Sequence, residues 1–196
     1  MIRTLLEERF HLVAHRVTVE QTGYALVVGK NGPKLKQGRE LDRSGCESWV
    51  ESKPLPDGRQ NQTCQSTRDD GDRTVTTTMS TNTNYGPMLS VSSRGETFEN
   101  RTEYFRLSMP KLAESLTQVL STGSPGMPMA GSSVVQVVDR TGIEGAWDVV
   151  LERTFGDLAL PTVSASLEKL GLRLEKTTVP GEKVIVDHVD KVPTEN

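Results

Sequence analysis

At 196 residues, with 23 Lys and Arg against 26 Asp and Glu, the chain carries a formal net charge of −3. Its pI near 5.7 offers no basic field for wrapping phosphate backbones, which excludes a general nucleic-acid binder. With 34% hydrophobic and 5% aromatic residues the length fits one medium domain or two small ones, with a modest core and long polar loops. The longest apolar runs, Tyr24 to Val28 and Val134 to Val138 with its Gln136 interruption, fall far short of the roughly 20 residues that span a bilayer, so no transmembrane segment is predicted.

The chain opens as a helix. Leu5, Leu6 and Phe10 recur at helical spacing over Ile2 to Arg9, and neither the apolar core nor the cleavage site of a signal peptide is present; a chain that starts inside a folded unit is expected to be a fragment of a longer product or a mature domain whose upstream part is missing. His11 to Glu20 is rich in β-branched residues and reads as extended. A turn at Gln21-Thr22-Gly23 leads to a buried strand, Tyr24 to Gly29, closed by Asn31-Gly32-Pro33. His11 and His15 have helical metal-ligand spacing, but on a strand they stand roughly 13 Å apart and share no ion.

Lys36 to Asn100 is dominated by Ser, Thr, Asn, Asp, Gly and Arg and is expected to leave the sheet as a partly mobile excursion. Within it Arg73 to Met79 and Met88 to Ser92 alternate well enough to pair as a hairpin. Cys46 and Cys64, the only cysteines, flank a loop containing Trp49; they either close it with a disulfide or remain two surface thiols, and they supply only half of a tetrahedral zinc site. Asn61-Gln62-Thr63 and Asn100-Arg101-Thr102 match the glycosylation sequon.

Phe105 to Met109 reads as a strand, and Pro110 opens a helix to Leu120 with Leu112, Leu116, Val119 and Leu120 inward and Ser108 as a candidate cap. After a loop from Ser121 to Ser133, strands are predicted at Val134 to Val138 and Ala146 to Thr154. The intervening Asp139 to Gly145 is the densest group of special residues: Gly142 and Gly145 suit positive φ, Asp139 can bond backbone N–H groups, and Arg140 is expected beside Glu144. Either this turn fixes the register of its flanking strands, or it presents Asp139, Arg140 and Glu144 to a partner. Thr162 to Leu170 then forms a helix stopped by Gly171, followed by a strand to Thr178, a turn at Val179-Pro180-Gly181-Glu182 and a strand from Lys183 to Val189. His188, flanked by Asp187 and Asp190, reads as a solvated histidine or a proton acceptor.

The order helix, strand, strand thus recurs at both ends, which points to duplication. The expected fold is α+β: repeated αββ units whose short helices pack on antiparallel or mixed sheets, with a long polar insertion. The expected parts are residues 1–35 as a first αββ unit, 36–103 as the insertion with its hairpin, and 104–196 as a βαββαββ unit. The predicted core takes in Leu6, Phe10, Leu12, Leu26, Val28, Leu112, Leu116, Val137, Trp147, Val149, Leu151, Leu167, Leu172, Leu174, Ile185 and Val189.

Catalytic signatures are sparse. Ser108-x-x-Lys111 and Ser166-x-x-Lys169 have the spacing that sets an amine beside a nucleophilic serine, without the companion motifs of such hydrolases. No phosphate loop, nucleophile elbow or dinucleotide fingerprint occurs, so no cofactor and no metal is assigned. A non-catalytic module that binds a protein or peptide, by adding a strand to a free sheet edge, is the leading functional expectation. A Ser/Lys hydrolase and a ligand-sensing ectodomain are the competing ones, and oligomeric state is left open.

Leu5-Leu6-Glu7-Glu8-Arg9-Phe10, Tyr24-Ala25-Leu26-Val27-Val28 and Asn31-Gly32-Pro33-Lys34-Leu35 resemble the central motif of a large uncharacterised family of soil bacteria, abundant in acidobacteria. Val138-Asp139-Arg140-Thr141-Gly142-Ile143-Glu144-Gly145 with Trp147-Asp148, Leu170-Gly171-Leu172-Arg173-Leu174-Glu175 and Val186-Asp187-His188-Val189 are similar to its later motifs. That resemblance implies export to the cell envelope, transfers no catalytic residue, and links some relatives to a membrane-bound zinc peptidase of the antibiotic-sensor type. Phe105 to Val189 is also similar to the short N-terminal domains of secretins and TonB-dependent receptors, which implies a protein partner.

Overall fold

The computed structural model describes residues 2–52, 54–55, 57–96, 98–121, 135–154 and 159–193. Among them the elements run α1 (Ile2–Phe10), β1 (Val13–Val28), β2 (Lys36–Gln37), β3 (Val50–Ser52), β4 (Asn61–Asp70), β5 (Arg73–Ser80), β6 (Met88–Arg94), β7 (Phe98–Leu107), α2 (Met109–Ser121), β8 (Val137–Asp139), β9 (Trp147–Thr154), α3 (Ala159–Lys169) and β10 (Leu172–His188). This is an α+β fold of short helices with antiparallel and mixed sheets, and no described helix is long and apolar enough to cross a membrane. The chain divides into two compact units, residues 23–177 and residues 1–22 with 178–196.

The larger unit is built on a seven-stranded sheet of order β2-β9-β7-β6-β5-β4-β3, antiparallel at every pair. A second sheet has the order β10-β1-β8, with β8 parallel to β1 from Tyr24↔Val137 to Leu26↔Asp139. Leu26, Leu107, Met109, Leu112, Leu116, Val149, Val163, Leu167 and Leu172 are at most 1% exposed and form one core with Tyr104 and Leu151. In α2 the buried Leu112, Ala113 and Leu116 fall on one face at spacings of one helical turn, while Lys111 and Glu114 pair on the exposed face at 2.7 Å. Ser108 stands just before this helix, and its carbonyl accepts the Leu112 N–H at 2.9 Å. Helix α3 ends as the sequence predicts, with Gly171 at φ +71° donating its N–H to the Glu168 carbonyl at 3.0 Å.

The helices also close strand edges. Thr117 and Ser121, one turn apart on α2, accept the N–H groups of Val137 and Val135 at 2.9 Å each. On α3, Ser166 Oγ accepts the Glu152 N–H at 3.0 Å and donates to the Glu152 carbonyl at 3.1 Å. A side-chain hydroxyl stands in each case where the next strand would pair, so strand addition at β8 and at this part of β9 is blocked.

The polar stretch corrects one expectation. Residues 61–107 form the antiparallel run β4-β5-β6-β7, paired from Thr63↔Ser80 through Arg94↔Phe98, and are the body of the larger sheet, not an excursion from it. The β5 and β6 segments are the ones read as a hairpin.

In the smaller unit, α1 leads into residues 13–22 of β1, beside residues 178–188 of β10. Partners descend along β10 as they ascend along β1: Asp190 N–H to Phe10 carbonyl at 2.8 Å, His11 to Asp190 and His15 to Asp187 at 2.7 Å each, Arg16 to Glu182 at 3.0 Å. The strands are therefore antiparallel. The turns predicted at 21–23 and 179–182 are absent, because β1 and β10 run unbroken through them. Neither Gly23 nor Gly181 takes the left-handed φ of a turn glycine. Gly181 is instead buried under Gln21, whose side-chain amide fills the space a Cβ would need. The core list is corrected here too: Val189 is 49% exposed, and Leu6, Phe10, Leu12 and Ile185 are only half-buried.

Candidate functional site

Two glycine turns set up a concavity of the larger unit. Gly32, at φ +73°, lies against Gly171, whose missing side chain admits the Gly32 carbonyl. Gly29 donates to the Gly171 carbonyl and Lys34 to the Leu170 carbonyl, at 2.8 Å each. The end of α3 is thereby fastened to the segment leading into β2, which brings Lys169 near Lys34 and Lys36.

A bulge completes the wall. Strand β7 shifts register against β9 between Tyr104 and Leu107, with Arg106 at φ +57°. A Cβ on Gly38 would lie 2.7 Å from the Arg106 Cα, so only glycine lets these backbones meet. The next residue, Arg39, crosses the Phe105 ring at 5.2 Å and reaches Asp148 at 3.1 Å and Glu103 at 3.3 Å.

The resulting groove has a volume of about 560 Å³ and is lined by Lys34, Lys36, Arg39, Arg101 and Lys169 against Glu103 and Asp148. Glu103 also accepts from Arg101, and Lys169 binds Glu152 at 2.7 Å. The Lys169 bond, helped by the charge of Arg101, holds the Glu152 carboxyl below its usual range despite partial burial. Lys34 and Lys36 have no side-chain ion pair among the described residues. Five cations thus stand around one concavity against Glu103 and Asp148, and two of them, Lys34 and Lys36, are uncompensated by a side-chain ion pair among the described residues, which leaves the groove locally positive.

Of the candidate catalytic and loop residues read from sequence, Lys169 lines this groove and the others fall elsewhere. Ser166 is 3% exposed and its hydroxyl is committed to the Glu152 backbone, while Lys169 is committed to the Glu152 carboxylate. Lys111 is likewise held by Glu114. In the loop Asp139 to Gly145, Asp139 Oδ1 accepts the Thr141 N–H at 2.9 Å, Gly142 and Gly145 take φ +67° and +104°, and the Trp147 indole donates to the Glu144 carbonyl at 3.2 Å. Two expectations for it are corrected. Arg140 and Glu144 form no ion pair among the described residues, and the loop joins strands of different sheets, since β8 pairs with β1 and β9 with β7 and β2. It therefore fixes a crossing and not a shared register.

Cys46 and Cys64 lie at disulfide distance, with Cα atoms 6.2 Å apart. The histidines make aspartate contacts: His11 and His188 share Asp190, and their hydrogen bonds pull its carboxyl below the ordinary aspartate range. Among the described residues no group of three or more His, Cys, Asp or Glu side chains is arranged to hold a metal.

Sequence reasoning missed the groove because its cations come from three stretches far apart in sequence, residues 34–39 around β2, Arg101 on β7 and Lys169 on α3, which no local spacing joins. The one available signal was Lys34 inside the Asn31-Gly32-Pro33-Lys34 turn. No curated protein and no solved structure matches the chain. Residues 1–189 match the sequence profile of one family across almost the whole length, and the chain belongs to that family, described as "Protein of unknown function (DUF3738)".

Proposed function

We propose that this chain is an exported, non-catalytic binding module of the cell envelope whose groove receives an acidic segment of a protein or peptide. The observation that carries the reading is the concentration of five cations around one cavity in a chain whose net charge is −3. Export is supported by the cysteine pair at disulfide distance, which suits an oxidising compartment, and by the resemblance to exported soil-bacterial proteins. The order β7-α2-β8-β9-α3-β10 supports a protein partner, since it parallels the short domains of secretins and TonB-dependent receptors. The loop carrying Asp139, Arg140 and Glu144 serves as a second contact, with Arg140 and Glu144 exposed.

Fluorescence anisotropy with a labelled Glu-rich peptide, a Gln-rich analogue as control and a salt series tests this. The Glu peptide is expected to bind, to weaken with salt, and to lose about tenfold or more with Lys34→Glu plus Lys36→Glu. Equal binding of the Gln analogue, or an undiminished affinity in the double variant, overturns the reading.

A further inference from the structure

The smaller unit carries an unfinished sheet. In the order β10-β1-β8, β10 stands at the edge, and among the described residues its only strand neighbour over residues 178–188 is β1. A two-stranded ribbon has little stability of its own, and a free edge is a template for another strand. This edge is unguarded where it is most apolar: Val184 and Val186 are 59% and 54% exposed. Lys183 between them and the turnless Gly181 makes no ion pair among the described residues, although Asp187 and Glu182 are engaged on the β1 side by His15 and Arg16.

The sequence of the edge selects its occupant. Glu182-Lys183-Val184-Ile185-Val186-Asp187-His188 is complementary to itself when reversed about Ile185. Laid antiparallel to a second copy with Ile185 opposite Ile185, the segment puts Val184 opposite Val186, Lys183 opposite Asp187 and Glu182 opposite His188. Each pair occurs twice by the twofold axis. Directly opposed residues share a face of the sheet, so apolar meets apolar, Lys183 meets the opposite charge of Asp187, and Glu182 meets an imidazole. Neighbouring registers lose this. Centring on Val184 sets Lys183 against Ile185, and centring on Val186 sets Ile185 against Asp187.

We infer that the outer edge of β10 over Glu182–His188 pairs antiparallel with the same segment of a second copy, joining two ribbons into one continuous sheet about a twofold axis. The interface is isologous and closes on itself, so it yields a dimer and not a fibre. It is separate from the groove proposed above and does not rest on it.

Sedimentation over a concentration series, on the full chain and two charge variants, tests the inference. The wild type is expected to show a concentration-dependent monomer–dimer equilibrium. Lys183→Asp alone and Asp187→Lys alone each turn two symmetry-related attractions into repulsions and should weaken self-association about tenfold. Mixing the two variants restores complementarity at both positions, so the heterodimer should form with near wild-type strength. That recovery also shows that both variants fold. A wild type that stays monomeric at all concentrations, a dimer indifferent to both substitutions, or a mixture that associates no better than its components overturns the inference.

Discussion

Tyr85 is the clearest case of a single buried group set against its surroundings. Its ring meets Tyr104 edge-on at 6.2 Å, while its buried hydroxyl has no hydrogen-bond partner among the described residues. Tyr104, by contrast, satisfies its own hydroxyl with Ser115 at 2.9 Å. Burial, aided by the Glu114 charge, pushes the Tyr85 phenol from 10.0 up to about 12. The folded state thus favours the neutral phenol. Its contribution is fully present below pH 10 and is lost as pH rises toward 12, because only the unfolded chain ionises in that window. Replacing Tyr85 by Phe removes an unsatisfied hydroxyl and should leave stability at neutral pH within about 1 kcal/mol of wild type or raise it. Urea unfolding at pH 7 and pH 11 measures both effects, and the variant should show a smaller fall between the two. The same scale disposes of the Asn100 sequon. Asn100 is 7% exposed, with its amide donating to Ser90 and its carbonyl accepting from Thr102 and Arg153, so the folded chain offers no acceptor there.

At the scale of elements, α2 has two jobs: Leu112 and Leu116 fill the core, and Thr117 and Ser121 terminate the edge of β8. The first was legible, because Pro110 and the leucine spacing mark a helix and its inward face. The second was not, since a threonine in a helix carries no sign that its hydroxyl will serve a strand close in space but distant in sequence. Thr117→Val tests it. The isosteric change keeps volume but leaves the Val137 N–H without its acceptor, and should cost about 1–3 kcal/mol, whereas Thr117→Ser should cost less; urea unfolding of the pair decides. The long strands failed in the opposite way. Gln21-Thr22-Gly23 and Val179-Pro180-Gly181-Glu182 have turn composition, yet Gly181 is needed for the close packing of Gln21, and that need is visible only once the two strands lie side by side. Likewise β5 and β6 were legible as a hairpin from alternating β-branched residues. Their place in a seven-stranded sheet was hidden because Thr and Ser line both faces and give no inward stripe.

At the scale of the molecule, the largest sheet is also the most polar part of the chain, and hydrophobic burial does little to hold its far edge. There β3 is a three-residue strand paired with β4 at Val50↔Thr63 to Ser52↔Asn61. The corner is reinforced by side chains. Arg43 lies 4.4 Å over the Trp49 ring and donates to Gln62 at 2.8 Å, and Gly45 sits against the Met79 methyl. A bond between Cys46 and Cys64, which lie at disulfide distance across a separation of 18 residues, would close this corner and on the loop-entropy model stabilise by about 3 kcal/mol. The β3–β4 pairing already restrains the same loop in the folded state, so the effect acts through the unfolded chain. Reduction should therefore lower the melting temperature while leaving the far-UV circular dichroism of the folded protein nearly unchanged. Cys46→Ser with Cys64→Ser should reproduce the reduced protein and abolish any further response to reductant. A melting temperature indifferent to reductant would mean that the two thiols lie side by side unbonded, and would remove the chemical support for an oxidising compartment.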